Sequence, residues 1–467
     1  MARISPMDIY KLLPGENCKE CGEATCMAFA SALIERKKSV EDCPLFEEEK
    51  YKKKKGALIE LLAPPVKEIV IGTGERAVTI GGEEVMYRHE LTYFNETAIA
   101  VDVDDEMGED EIIERVEDID KFRFERVGEE LTLDAIAIRS KTGDQTEFGD
   151  AVLTVVKNSN LPLILCSYDP ELLEVGLEIA LDRRPLVYAA TKENWRDVAE
   201  LSSKHDCPIV ASCPEDIGGL MNLVRSLMDE GVGDIVLDIG TYLEGEKFDD
   251  MVENLAIIRR MGIDDGVKEL GFPILCVPMV SWVGESDAID GGFNEATLAV
   301  AQLLRYSDIS IVHSLDMWAI LPQLTIRQNI YTDPRKPVQV DSGLYTFGTV
   351  DENSPVLMTT NFALTYYTVA GDIESAGLSC YLLVTDTEGL AVEPAMAGGK
   401  LVSSIVKDVM DQTKIGEKVK HKKLIIPGMA ARIKGDIEDE TSWDVLVGPM
   451  DSSRIPDFLD KNWNYLQ

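Results

Sequence analysis

Four cysteines near the start of the chain have the spacing of a metal site. They are Cys18, Cys21, Cys26 and Cys43, in the pattern C-x2-C-x4-C-x16-C. Structural zinc usually takes paired CxxC knuckles or histidines, and no histidine precedes His89. An iron–sulfur cluster takes four thiolates, and its last cysteine is commonly followed by proline, as Cys43 is by Pro44. The spacing therefore favours a 4Fe-4S cluster, with zinc as the alternative.

The residues between these cysteines predict how the four thiols are brought together. Gly22 lets the loop fold back, so that backbone amides can meet the cluster sulfides. Residues 24–38 have helical periodicity, and this helix would supply Cys26 from its first turn and return Cys43 to the site. The remaining cysteines, which we interpret as small hydrophobic core residues, are Cys166, Cys207, Cys213, Cys276 and Cys380.

Length and charge limit the classes of protein to which the chain can belong. With 467 residues, it is long enough for two or three domains. Its 46 Lys and Arg against 84 Asp and Glu give a formal charge of −38, which disfavours nucleic acid and anionic membranes as partners. Neither an 18-residue apolar run nor a secretory signal is present, so we predict a cytoplasmic protein without a membrane span.

Composition shifts along the chain predict three domains. Residues 1–60 would form a small iron–sulfur domain, in which the metal substitutes for a large core. Residues 65–330 alternate short apolar runs with helical stretches, as in a TIM-type (β/α)8 barrel. Nine apolar runs are candidates for eight barrel strands, so one run would be a lid or no barrel strand. Residues 336–467 would form a compact, doubly wound, Rossmann-like α/β domain.

The excess negative charge is concentrated in the predicted barrel. Residues 1–64 are neutral and residues 336–467 carry only a small excess of acids, so residues 65–335 hold most of the charge. The charge is interpreted either as a solvated acidic surface or as a surface that docks onto basic partners.

Polar residues at the predicted strand ends mark two candidate ligand sites. In the barrel the candidates, for which ordinary capping is the alternative, are Asp102, Asp104, Ser167, Asp238 and His313. In the last domain, small and hydroxyl residues such as Thr359, Thr385 and Gly428 suit a large ligand with amide groups better than a pyrophosphate. No G-x-G-x-x-G or P-loop is present, which makes nucleotide binding the weaker interpretation.

The combination of cysteine spacing, barrel and terminal α/β domain resembles one known family. The terminal domain opens with PVLMTTNFALTYY, and the similarity extends through MYRHELTYFN, IYTDPR, IPGMAARIKGDIED and VGPMDSSRIP. These motifs resemble the large (gamma) subunits of corrinoid iron–sulfur proteins, in the form found in the archaeal acetyl-CoA decarbonylase/synthase complex.

The resemblance implies a methyltransferase component that carries methyl groups on a corrinoid (cobamide). Its cobalt would cycle between Co(I) and methyl-Co(III), exchanging a methyl group with a methyl-tetrahydropterin, tetrahydrosarcinapterin in methanogens, and with the metal cluster of acetyl-CoA synthase. The 4Fe-4S cluster would reactivate oxidised Co(II). The implied partners are the small (delta) subunit in a heterodimer, the acetyl-CoA synthase and CO dehydrogenase subunits, and the methyl-tetrahydropterin or its methyltransferase.

The same resemblance implies which residues contact the corrinoid. Ser354, Thr360 and Asn361 would contact corrin amide groups, followed by the loop of Thr385, Asp386, Thr387, Glu388 and Gly389. Ala397, Gly398 and Gly399 would let the nucleotide tail approach, and Gly428, Gly448, Pro449 and Met450 would close the pocket. Many corrinoid proteins present a histidine in a D-x-H-x-x-G motif, but no such motif surrounds His421.

Two other functions stay open at this point. The barrel could bind the methyl-pterin itself, although the basic residues near its strand ends that could hold an anionic pterin are few: Arg88, Arg139 and Lys141. The chain could also be an iron–sulfur electron-transfer protein without a corrinoid.

Overall fold

The computed structural model describes residues 5–284 and 287–463 of the chain. Contacts divide the chain into two compact units. The first unit comprises Met1–Phe122 and Thr132–Tyr331, and the second comprises Arg123–Leu131 and Thr332–Gln467. The cysteine-rich segment and the barrel belong to the same unit, so their division into two domains between residues 60 and 65 stays a prediction.

The cysteine-rich segment is built on three short helices, α1 (Pro6–Leu12), α2 (Cys26–Ile34) and α3 (Lys52–Leu62). They enclose a small core that includes Ile9, Phe29, Phe46 and Leu58. Helix α2 is shorter than the stretch predicted at residues 24–38, because the chain leaves helical geometry at Arg36, whose φ is +52°.

An antiparallel hairpin of β1 (Ile69–Ile71) and β2 (Val78–Ile80) follows. The apolar run EIVIG, one of the nine candidate barrel strands, forms β1 and pairs only within this hairpin in the described residues. It is the surplus strand that the sequence could not single out.

The barrel begins with β3 (Ala98–Asp104) and α4 (Glu109–Lys121). A second hairpin, of β4 (Phe124–Arg126) and β5 (Glu129–Leu131), comes next and belongs to the second unit. This grouping was not expected, since the sequence analysis placed residues 65–330 in one domain.

The rest of the barrel alternates strands with helices. In the described part of the first unit these elements are β6 (Ala135–Arg139), α5 (Gln145–Asn158), β7 (Leu163–Cys166), α6 (Pro170–Ile179), β8 (Leu186–Ala190), α7 (Trp195–His205), β9 (Ile209–Ser212), α8 (Ile217–Asp229), β10 (Ile235–Asp238), α9 (Glu246–Ile263), β11 (Leu275–Cys276), α10 (Ala288–Leu303), β12 (Ile309–Val312) and α11 (Met317–Tyr331).

The eight strands confirm the predicted parallel barrel. Their order is β10-β9-β8-β7-β6-β3-β12-β11, and every described pair in this sheet is parallel. A parallel bridge between Leu237 and Ile274 joins the two outer strands, and the Leu237 amide donates to the Pro273 carbonyl at 2.7 Å. The strands are buried on both faces, as continuously apolar parallel strands should be.

A buried ion network lies among the segments that enter the barrel strands. Arg259, 1% exposed, donates to Glu83 at 3.0 Å and to Asp308 at 2.5 Å. Asp308, just before β12, also accepts the Ile274 amide ahead of β11. The network therefore ties α9 and the segment after β2 to two neighbouring strands.

The second unit contains one sheet with helices on both faces. After the β4–β5 hairpin, its described elements are β13 (Gly343–Phe347), β14 (Val356–Thr360), α12 (Ala363–Ser375), β15 (Cys380–Thr385), α13 (Val392–Ala397), α14 (Ser403–Thr413), α15 (Ile415–Lys418), β16 (Lys423–Ile426), α16 (Lys434–Thr441), β17 (Asp444–Val447) and α17 (Ile455–Asn462). The strand order is β13-β15-β14-β16-β17, with β13 antiparallel to β15 and the other pairs parallel. One face packs on α13, α14 and α16, and the other on α12 and α17.

No helix in residues 5–284 or 287–463 combines the length and the apolar character needed to cross a membrane.

Candidate functional site

The four N-terminal cysteines lie around the start of α2. Cys26 opens that helix, and its amide donates to the Asn17 side chain at 2.8 Å. Gly22 has a φ of +86°, as the predicted fold-back of the loop requires. Cys43 is buried between two 3-10 turns, the second of which begins at Pro44. Cys43 therefore belongs to the small core of this segment, Cys21 and Cys26 pack against that core, and Cys18 is exposed.

The ionisation of Cys43 depends on its burial and on the two neighbouring thiols of Cys21 and Cys18. Burial raises the pKa of the Cys43 thiol, and negative charge on Cys21 or Cys18 raises it further. The amides of Leu45 and Phe46 donate toward the sulfur and act in the opposite direction. Thiolates that repel one another beside inward-facing amides suit a cationic metal cluster. Among the described residues, no three His, Cys, Asp or Glu side chains converge tightly enough for a single metal ion.

A pocket of about 470 Å³ opens at the carboxyl ends of β14, β16 and β17. Its volume falls within the range of small-molecule sites, about 300–1,000 Å³. The walls are mostly apolar and consist of Leu357, Met358, Thr359, Leu364, Thr365, Thr368, Val369, Ala391, Val392, Glu393, Pro394, Ile425, Ile426, Pro427, Met429, Gly448, Pro449, Met450, Ser452 and Ile455. The second unit thus has a ligand-sized cavity at the carboxyl ends of its strands, the edge of the sheet where the sequence analysis predicted a ligand site.

Thr359 lines this pocket and has a buried hydroxyl without a partner in the described part of the chain. The residue is 1% exposed, and its Oγ1 has no hydrogen-bond partner among the described residues. A buried hydroxyl without a partner costs about 1–3 kcal/mol, so a ligand that bonds to it recovers that free energy. The neighbouring Thr360 is also buried with an unpartnered Oγ1, but it does not line the pocket.

At one wall of the pocket, the backbone at Gly428 lies very close to the backbone of Gly448, Pro449 and Met450. A side chain at Gly428 would place its Cβ 2.9 Å from the Gly448 carbonyl oxygen and 2.9 Å from the Met450 amide. Only glycine fits there, and the Gly428 amide donates to the Pro449 carbonyl at 3.0 Å. Gly448, Pro449 and Met450 line the pocket, and their contact with a corrinoid stays a prediction.

The loop after β15 is organised around Asn361. The Asn361 Oδ1 accepts from the Thr387 amide, the Thr387 hydroxyl and the Gly389 amide, each at 3.0 Å. Its Nδ2 donates to Asp386 Oδ1 at 3.1 Å. Glu388 pairs with Lys400. These polar groups are satisfied within the protein, and neither they nor Thr385 line the pocket.

The other expected corrinoid contacts lie elsewhere in the unit. Ser354 precedes β14, so it lies at the amino end of the sheet, where its hydroxyl bonds with Asp351. His421 is at the same end and bonds to the Ser354 carbonyl at 2.9 Å. Ala397, Gly398 and Gly399 are at the carboxyl end of α13, whose amino end lines the pocket.

Asp102 is the centre of a charged cluster at the carboxyl end of the barrel. Its Oδ1 accepts from His313 Nδ1 at 2.6 Å and from Arg115 at 3.2 Å, and its Oδ2 accepts from Arg139 at 2.6 Å. Burial alone would raise the pKa of Asp102, but the His313 hydrogen bond and the two arginines hold it below the ordinary value. Asp104 pairs with Arg139 at 3.2 Å and with Lys141 at 3.3 Å.

A second pocket, of about 540 Å³, lies at the same end of the barrel. It is lined by Tyr168, Thr191, Lys192, Glu193, Asn194, Ser212, Cys213 and Pro214. Behind Ser212, the buried Asp238 accepts from the Ser212 hydroxyl at 2.8 Å and from the Tyr188 hydroxyl at 2.9 Å. Burial raises the pKa of Asp238.

The remaining barrel candidates have structural partners. The Ser167 hydroxyl accepts the Asp169 amide at 3.0 Å within a turn. Lys141 pairs with Glu106 at 2.7 Å near the Asp102 cluster. Arg88 donates to the Ile330 carbonyl at the end of α11, so it lies away from the strand ends where we expected it.

Sequence reasoning missed the pocket walls that come from helices. Leu364 and Thr368 are one helical turn apart on α12, and Val392 and Pro394 lie in the first turn of α13. The sequence itself offered one weak signal, the large apolar Leu364 two residues after the TTNF strand end, and the structure shows that this side chain is half exposed.

Two family models match the sequence. The model described as the CO dehydrogenase/acetyl-CoA synthase delta subunit matches residues 68–459, which is most of the chain. A second model, that of an Fe-S cluster, matches residues 13–45 and contains all four N-terminal cysteines. This match favours iron–sulfur over zinc.

Curated relatives are similar over nearly the whole chain. The acetyl-CoA decarbonylase/synthase complex subunit gamma of Methanothermobacter thermautotrophicus is 48% identical over 98% of this chain and 99% of its own length. The gamma 2 subunit of Methanosarcina thermophila is 48% identical over 98% of each chain. The gamma subunit of Methanocaldococcus jannaschii is 43% identical over 99% of this chain and 97% of its own.

Solved structures match the barrel only distantly. Dihydropteroate synthase from Xanthomonas albilineans is 13% identical, with a TM-score of 0.39 over 57% of this chain and all of its own. The enzyme from Thermus thermophilus is 16% identical, with a TM-score of 0.36 over 56% of this chain and all of its own. Values this low establish no shared function.

Proposed function

Because the chain belongs to the family of acetyl-CoA decarbonylase/synthase complex gamma subunits, we propose that it is the corrinoid-dependent methyl carrier of such a complex. It would move a methyl group between a methyl-tetrahydropterin, tetrahydrosarcinapterin in methanogens, and the metal cluster of acetyl-CoA synthase. The observation that carries this proposal is the apolar pocket of the second unit, which opens at the sheet edge where α/β folds bind ligands.

The pocket supplies the chemistry that a corrinoid would need. Its apolar walls can cover a flat ring or an aromatic base, and the unpartnered Thr359 hydroxyl can bond with an amide group. We assign Thr359 as a direct contact, and we assign the Gly428 turn and Met450 as the wall that closes the pocket. The Asn361 loop would position the ring indirectly, by holding the carboxyl ends of β14 and β15 together.

We assign Cys18, Cys21, Cys26 and Cys43 as ligands of a 4Fe-4S cluster. Three of these cysteines, Cys21, Cys26 and Cys43, lie at one core, which supports the assignment, and the Leu45 and Phe46 amides that face Cys43 would hydrogen-bond cluster sulfur. When bound, the corrinoid would supply a cobalt that accepts and gives up the methyl group, and the cluster would supply the electron that restores oxidised cobalt.

Two features of the protein support cobalt without a histidine ligand. His421, the only histidine in residues 336–467, lies at the amino end of the sheet, opposite the pocket. Burial lowers the pKa of His421, and both ring nitrogens already have backbone partners, Ser354 and Lys423. The role of the pocket would then be to hold the corrinoid and exclude water.

The metal content of the purified holoprotein tests this function. We expect one cobalt and four iron atoms per chain after anoxic purification of the complex and separation of this chain from the other metal-carrying subunits. Four iron atoms without cobalt would instead support the electron-transfer function, and iron-free protein with bound zinc would contradict both assignments.

A second candidate function rests on the barrel pocket. Its position at the carboxyl end of the strands, in front of the buried Asp238, is where barrel enzymes bind substrates. The barrel would then bind the methyl-pterin directly. Methyl exchange with the pterin by the chain alone, without its partner subunits, would favour this candidate, and loss of exchange in the absence of partners would reject it.

A further inference from the structure

An apolar surface lies beside the carboxyl end of the barrel, on and around α10. Five large hydrophobic side chains that are 43–79% exposed form this α10 surface: Val283, Ile289, Phe293, Met317 and Trp318. Ile289 and Phe293 are one turn apart on α10, and Met317 and Trp318 begin α11, which packs against α10. Isolated exposed hydrophobic residues are ordinary, but a grouping of this kind marks an interaction site.

The fold holds these side chains in place. The Trp318 ring lies so close to Gly292 that a Cβ there would be 2.8 Å from the indole, and Trp282 packs in the same way against Gly291. Both glycines are buried, so the two tryptophans cover the inner part of α10. A large aromatic side chain that is fixed and half exposed is the usual anchor of a protein interface, because little conformational entropy is lost on binding.

The charges around the α10 surface have one sign. Between Val283 and Ile326 the sequence has a single Lys or Arg, Arg305, and several acids. Asp287, Asp290 and Asp316 are exposed next to the apolar residues. A second copy of this chain would bring an identical acidic rim against this one, on molecules that each carry −38. Like charges so placed disfavour a homodimer through this surface.

We propose that the α10 surface binds another subunit of the same complex, through a face with an apolar centre and a rim of Lys and Arg. The relatives are named as subunits of a complex, so partner subunits are implied. This inference rests on the proposed place in that complex but not on the methyl-carrier role. The cobalt and iron content of each variant therefore shows separately whether the carrier proposal fails.

The test compares exposed residues at the two ends of α10. Phe293→Glu and Ile289→Glu place a charge within the surface, and Leu304→Glu, a residue 55% exposed just beyond the other end of the helix, is the matched control. Each variant and the other subunits of its complex are purified separately. Biolayer interferometry then measures the dissociation constant between the immobilised variant and those subunits. Thermal unfolding confirms that each variant is folded.

We expect both glutamate variants within the surface to weaken assembly at least about tenfold, with Leu304→Glu within about twofold of the unaltered chain. Asp290→Lys should also weaken assembly, most strongly at low salt, because it removes an attraction to the basic rim. The proposal is overturned if Phe293→Glu and Ile289→Glu assemble like Leu304→Glu. It is equally overturned if the chain forms a homodimer that these variants dissociate.

Discussion

The Asn361 side-chain oxygen accepts both the backbone amide and the hydroxyl of Thr387, each at 3.0 Å. Both residues were expected to contact the corrinoid, but in the structure they bond to each other. Asn361→Ala should therefore lower the free energy of unfolding of the second unit by about 1–3 kcal/mol, because buried donors lose their acceptor. Chemical denaturation measures this, with the exposed Asn462→Ala as control. Unchanged stability with reduced corrinoid affinity would make Asn361 a direct contact instead.

Two adjacent threonines provide a matched test of whether the pocket binds the corrinoid. Thr359 and Thr360 are both buried with unpartnered hydroxyls, and only Thr359 lines the pocket. Replacing one hydroxyl by a methyl group in Thr359→Val should weaken corrinoid binding by about 0.5–1.5 kcal/mol, while Thr360→Val leaves it unchanged. Titration of the apoprotein with a cobamide, followed by absorbance, measures both affinities. Equal losses in the two variants would contradict the assignment of Thr359.

Replacement of one cysteine should separate electron supply from methyl transfer. In Cys21→Ala, reductive reactivation of the oxidised cobalt should be lost, and methyl transfer started by chemical reduction should be kept. Single-turnover assays, started with and without a chemical reductant, measure methyl transfer and reactivation. Iron analysis measures the cluster content. Cys276→Ala, which alters a buried core cysteine, should keep both. If Cys21→Ala abolished methyl transfer while the fold and the cobalt persisted, the role assigned to the cluster would be wrong.

The buried Glu83 should make the stability of the first unit depend on pH. Burial and the neighbouring Asp308 raise the pKa of Glu83 above its ordinary value of 4.5, although Arg259 opposes the shift. A raised folded-state pKa means that the stabilisation from Glu83 is complete below pH 4.5 and is lost as the pH rises through the folded value. The free energy of unfolding should therefore fall more between about pH 5 and about pH 9 in the unaltered chain than in Glu83→Gln. The exposed Glu75→Gln should follow the unaltered chain, and identical pH slopes in all three proteins would contradict the shift.

The sequence predicts the barrel well because its signal is local. Continuously apolar strands such as β7 and β8, separated by amphipathic helices, indicate a parallel sheet whatever their partners are. The run that forms β1 has the same composition as a barrel strand. Its antiparallel pairing with β2 depends on contacts between distant segments, which periodicity does not encode. The grouping of residues 123–131 with the second unit was missed for the same reason.

The candidate sites were predicted to different depths. The spacing of the four cysteines predicts a metal site without any knowledge of the fold, so this candidate site could be predicted from the sequence alone. For the pocket, the strand-end rule indicated the edge of the sheet where the cavity lies but could not say which way each side chain points. Leu357, Met358 and Thr359 line the cavity although adjacent strand residues face opposite sides of the sheet, and Thr360 does not line it. The walls from α12 and α13 depend on how those helices pack on the sheet.

Single-turnover methyl transfer tests the central claim most directly. The holoprotein, assembled with its partner subunits and chemically reduced, is mixed with methyl-tetrahydrosarcinapterin, and the corrinoid absorbance and the methylated product are followed. The account predicts one methyl group taken up per chain and then released to acetyl-CoA synthase, with the rate and extent of uptake reduced in Thr359→Val through its weaker corrinoid binding. A cobalt-loaded, reduced chain that takes up no methyl group in the complete complex would contradict it.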